Sequence, residues 1–100
     1  MIMNTRNEII FNLYIVGKSP DALRMVQRLK SLLDTNIKSG YTLNVIDILQ
    51  NPDVALSDNI LASPTLIRVK PLPVKRIVGM VPFKNLIAEF ELSGFLQVND

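Results

Sequence analysis

Residues 9–24 read IIFNLYIVGKSPDALR. The first eight are β-branched, aromatic or otherwise apolar, broken only by Asn12. A run of this kind suits a strand buried on both faces, as in a parallel sheet. Gly17-Lys18-Ser19-Pro20-Asp21 follows. Ser19 is a natural helix N-cap, Pro20 fits the first helical position, and Asp21 complements the helix dipole. Ala22, Val26, Leu29 and Leu33 then recur at helical spacing, with Leu23 and Met25 widening the stripe. The spacing predicts a helix over 20–35. Lys38-Ser39-Gly40 makes a turn, and residues 41–48, YTLNVIDI, read as a second strand. A strand, a helix and a strand in succession predict a right-handed crossover between parallel strands.

Working outward, Asn51-Pro52-Asp53 repeats the cap-plus-proline signal and predicts a short helix over 52–59. Two turns are too few to be stable without packing. Residues 60–69, ILASPTLIRV, hold a third strand from Thr65 onward. Lys70-Pro71-Leu72-Pro73 breaks it, and residues 74–79, VKRIVG, form a fourth, close enough for an antiparallel hairpin. Val81-Pro82 opens a last helix with Phe83, Leu86, Ile87 and Phe90 on one face. The α/β order βαβ–α–ββ–α is thioredoxin-like. Ser63-Pro64 then has two readings. It is an ordinary proline at a strand entrance, which is tolerated, or the cis-proline that thioredoxin-like proteins place there. The 100 residues show no linker or repeat and read as one domain, 1–100.

Composition narrows the chemistry. At 48% hydrophobic and 20% charged residues the chain builds a core with apolar surface to spare. Either the core is dense or the protein self-associates. There is no cysteine and no histidine. This excludes disulfides, thiolate nucleophiles and cysteine metal sites, and removes the commonest general base and metal ligand. No paired-acid site is visible: Asp47, Asp53 and Asp58 are well spread, with Asp47 at a sheet edge or beside a cation. No cofactor and no metal site are expected. The N-terminus lacks a signal-peptide cleavage pattern, and no stretch nears the ~20 apolar residues that span a bilayer. A cytoplasmic protein is expected, without membrane contact. A net charge of +2 is too small for a dedicated nucleic-acid binder.

Two features remain for function. Ser19 occupies the place where thioredoxin-like enzymes keep a reactive cysteine. It is a plain helix cap, or it activates a bound thiol as serine-type glutathione transferases do. Residues 65–80 hold four cations, Arg68, Lys70, Lys75 and Arg76, and no anion. Alternation in a hairpin places Arg68 and one of Lys75 and Arg76 on one exposed face. Arg24 and Arg28 lie one helical turn apart. These are scattered solvated charges, or a docking surface for an acidic protein. A phosphate or RNA site lacks an aromatic stacking platform.

The stretches LYIVGKSPDALR (13–24), YTLNVIDILQNPDVA (41–55) and DNILASPTLIRVKPLPVKRIVG (58–79) together resemble the KaiB circadian-clock protein family. The resemblance covers about residues 11–79. It implies a non-enzymatic adaptor that docks on a KaiC-type ATPase ring, competes with a sensor kinase and sequesters a KaiA-like regulator. It implies two folds: a thioredoxin-like monomer competent for the ring, and an oligomeric ground state, dimer or tetramer, of order βαββααβ. Arg24, Arg68, Lys75 and Arg76 match basic positions of the family. Tyr41 and Asn44 on the second strand match positions facing a KaiA-like partner. Lysines are common in the family where Asn44 and Asn59 stand, and an aspartate where Met80 stands, which marks a divergent or non-clock homologue. Pro64, Pro71 and Pro73 crowd the region that changes between the two folds, and uncatalysed X-Pro isomerisation takes tens of seconds. The rival readings are a transferase using Ser19 and a sensory interaction domain of a histidine kinase.

Overall fold

The computed structural model describes residues 8–79. Its elements are β1 (Ile10–Ile15), α1 (Pro20–Asn36), β2 (Thr42–Asp47), α2 (Pro52–Ser57), β3 (Thr65–Lys70) and β4 (Lys75–Val78). They form one four-stranded sheet of order β2-β1-β3-β4. β1 and β2 are parallel, from Ile10 opposite Thr42 to Ile15 opposite Asp47. β3 runs antiparallel to β1, with Leu13 opposite Leu66, and β4 antiparallel to β3, with Leu66 opposite Ile77. A helix between β2 and β3 is the thioredoxin-like order rather than βαββααβ. The helix expected from Val81-Pro82, with Phe83, Leu86, Ile87 and Phe90, lies outside the described residues.

Opposed residues share a face of a sheet. Phe11, Leu13, Ile15 and Leu66 therefore point one way, and they pack with Leu29 and Leu33 of α1 into the main core. Each such side chain contributes about 1.5–3 kcal/mol when fully buried. Asn12, Tyr14, Thr65 and Ile67 point the other way, and of these Tyr14, Thr65 and Ile67 are buried. β1 is thus enclosed on both sides, which is why its sequence is nearly unbroken.

α1 begins as its sequence requires. The Ser19 Oγ accepts the Ala22 N–H at 3.1 Å, and Pro20 opens the first turn. Three local expectations need correction. Leu23 does not widen the buried stripe; it is half exposed, because the core arc of α1 is narrower than its apolar sequence. Asn51 stands at the N-cap of α2 with Pro52 after it, but its side chain makes no capping bond. Its side-chain N–H instead donates to the Asp47 carbonyl at 3.1 Å. And α2 ends at Ser57 rather than residue 59, because Asn59 takes a left-handed φ of 57° that no helix continues through. The Ser63-Pro64 bond is cis, as are Lys70-Pro71 and Leu72-Pro73.

Candidate partner-docking site

The seven residues singled out in the sequence do not form one patch. Arg24 stands on the outer face of α1, beside Asp21, in an exposed ion pair. Such pairs contribute little to stability, so the guanidinium is available to a partner. Tyr41, just ahead of β2, faces α1. Its hydroxyl donates to Asp34 Oδ1 at 2.6 Å and lies 3.3 Å from the Lys30 carbonyl, and its ring meets Phe11 edge-on. Burial, with help from the Asp34 carboxylate, pushes the Tyr41 phenol up to about 12. Asn44 is three residues further on and so faces the other side of the sheet. The pair expected to meet one partner together is divided between two faces.

The cationic hairpin also divides. Arg68 is opposite Lys75, while Arg76 is opposite Ile67 on the other face. The expected exposed pairing fails for Arg68, which is only 2% exposed. Its Nη2 donates to the Pro73 carbonyl at 2.7 Å. Arg68 shares the face of the sheet that holds the core, opposite Phe11, and its head turns back to the carbonyl of the hairpin turn. Lys75 is half-buried and Arg76 exposed. Arg76 reaches the far end of α2, donating from Nη2 to the Asp58 carbonyl at 2.8 Å and from Nη1 to the Asn59 carbonyl at 3.0 Å. Asn59 itself is exposed.

Two residues carry more than their spacing suggested. Asp47 ends β2, the strand at one edge of the sheet, but its side chain is turned inward. It is buried, and its Oδ1 accepts the Gly17 N–H at 2.8 Å and the Leu49 N–H at 3.0 Å. It therefore fastens the loop after β1 to the loop after β2. Tyr14, read only as part of an apolar strand, donates its hydroxyl to Asp58 Oδ2 at 2.5 Å. The signal available for both was a polar atom inside an otherwise apolar strand. Ser19 serves as the cap of α1, so its hydroxyl oxygen is turned to its own helix.

The comparisons with known proteins fit this geometry. The KaiB domain family matches residues 12–90. A circadian clock oscillator protein KaiB from Synechococcus elongatus is 46% identical over 100 residues, covering 98% of each chain. The chain belongs to the KaiB family. Solved structures with the same fold include chloroplastic thioredoxin z, at TM-score 0.70 and 17% identity over 90% of this chain and 82% of that one. The N-terminal domain of Synechococcus elongatus SasA gives a TM-score of 0.68 and 19% identity, over 89% and 83%. At these identities the likeness is one of fold. The fold of this KaiB-family chain is accordingly thioredoxin-like, mixed α/β. Among the described residues no helix is long and apolar enough to cross a membrane.

Proposed function

We propose that this KaiB-family chain is a non-enzymatic adaptor of a clock-type system that docks on a KaiC-type ATPase ring and regulates its signalling state. The observation that carries this reading is the 46% identity, over almost the whole chain, to a circadian clock oscillator protein KaiB. The absence of cysteine and histidine from the sequence fits binding rather than catalysis. Arg24, Asn59 and Lys75 are the side chains proposed to meet the ring, together with the exposed Leu56 and Leu61 beside Asn59. Asn44, on the outer strand β2, is proposed to meet a KaiA-like regulator, and Tyr41 supports that strand from behind. Arg68 acts through the turn it holds. The segment with Pro64, Pro71 and Pro73 is the proposed place of any rearrangement between the two folds of the family.

The likeness to the SasA N-terminal domain favours a second reading, in which the two folds compete for one surface or this chain is itself a sensory interaction domain. One experiment tests the first. Size-exclusion chromatography with light scattering gives the mass of the protein alone, and again after hours with a KaiC-type ring and ATP. Slow co-elution with the ring is expected, and a dimer or tetramer in the protein alone. An oligomer that never joins the ring would refute the adaptor role.

A further inference from the structure

The face of the sheet turned away from α1 carries a connected line of polar groups. Asn44, Asn12, Ile67 and Arg76 stand opposite one another across the four strands. The Asn44 side-chain N–H donates to Asn12 Oδ1 at 2.9 Å. The Asn12 side-chain N–H in turn approaches the Tyr14 hydroxyl at 3.4 Å. Tyr14, only 1% exposed, donates its hydroxyl hydrogen bond to Asp58 Oδ2. Arg76 closes the line from the other edge by holding the carbonyls of Asp58 and Asn59. Every donor in the line points toward the last turn of α2.

Among the described residues that turn has few other fastenings. α2 is six residues long, with Ala55 its one buried residue among those described. Its end at Ser57 is followed by the left-handed Asn59, and the amides of Asp58, Asn59 and Ile60 bond back to α2 itself. A helix this short has no stability of its own. β4 is equally exposed: it has four residues, one neighbour strand among the described residues, and alternate side chains in solvent. A guanidinium on free helix carbonyls also opposes the negative end of the helix dipole.

We infer that Tyr14, Asp58 and Arg76 form a latch that holds the C-terminal turn of α2 and the edge strand β4 in place on the sheet, so that Arg76 acts from inside the protein rather than as a partner contact. The shift of Tyr14 agrees with the geometry. Burial first, then the bond to Asp58, raises its phenol above the usual tyrosine value, while Arg76 is near enough to oppose them. The line also joins the two edges of the sheet. A change at Asn44 on β2 therefore reaches Asp58 through two side chains.

The inference concerns the protein by itself and stands whether or not a ring is ever bound. Amide hydrogen exchange followed by NMR on the free chain tests it. Tyr14→Phe removes one hydroxyl and leaves the ring in the core. Arg76→Gln removes the charge and shortens the reach. Each is expected to speed exchange of the Asn59, Ile60 and Gly79 amides about three- to tenfold, the loss of one ordinary hydrogen bond. The α1 amides of Leu29 and Leu33 should be unchanged. The double variant should open no more than the stronger single one, because both act on one latch. Asp58→Asn, which keeps an acceptor, should show the smaller effect. Unchanged exchange in Arg76→Gln, with or without lost ring binding, would overturn the latch. So would acceleration spread evenly into α1.

Discussion

At the scale of single residues, buried polar atoms decide more than exposed charges do. Asp47 is the clearest case, since one carboxylate oxygen receives the amides of both Gly17 and Leu49. Asp47→Ala would remove the acceptor of the Gly17 and Leu49 N–H groups, bonds of about 0.5–1.5 kcal/mol each, and would empty a buried position besides. A loss of about 2–4 kcal/mol is expected in urea denaturation, while Asp47→Asn, which retains the oxygen, should lose far less. The two tyrosines make a second prediction. Both phenols are raised, Tyr41 to about 12, and the neutral form is the one favoured by folding. The stability they add is whole below the ordinary value near 10 and is lost as pH rises from there toward 12. Absorbance at the tyrosinate band should stay low at pH 10 in the folded protein. Half-ionised tyrosines at that pH would contradict the hydrogen bonds to Asp34 and Asp58.

At the scale of elements, the sequence is most readable where caps and breaks coincide with periodicity. β1, α1 and β2 fall within a residue or two of their expected places, because Ser19-Pro20 starts the helix and Lys38-Ser39-Gly40 ends the connection. The hairpin was legible too, from the two prolines between its strands. Its side-chain arrangement was not. Strand alternation places Arg68 with Lys75 but says nothing of depth, and depth here follows from Arg68 lying opposite Phe11 on the inner strands of the sheet. Asn51 is placed at the N-cap as its sequence suggests, but its side chain turns to the Asp47 carbonyl instead of to the helix. The cluster of Tyr14, Asp58 and Arg76 joins residues 44 and 18 positions apart in the chain, so no local pattern encodes it. Arg68 gives this scale its prediction. Arg68→Ala removes a buried stem and the donor to Pro73, and should cost about 2–4 kcal/mol in thermal or chemical unfolding. A purely external contact residue would change stability by less than about 0.5 kcal/mol.

At the scale of the whole molecule, the sheet has one face closed by α1 and another on which a short helix is pinned by polar bonds. Some of the exposed apolar side chains lie in and beside that short helix: Leu49, Val54, Leu56 and Leu61 fall within thirteen positions of one another, and Leu61 is 95% exposed. Single exposed leucines are ordinary, and it is on these adjoining ones that the proposed ring-docking surface draws. If that surface meets a KaiC-type ring, then Leu56→Gln combined with Leu61→Gln should leave the unfolding midpoint almost where it was, because neither side chain is in the core. Co-elution with the ring should fall by about tenfold or more in affinity, as loss of two well-buried interface leucines implies. Arg24→Gln should weaken the same association mainly at low salt, since an exposed charge acts at a distance that salt screens. Undiminished ring binding in the double leucine variant would move the interface away from α2. The hairpin cation Lys75 would then be the next surface to test.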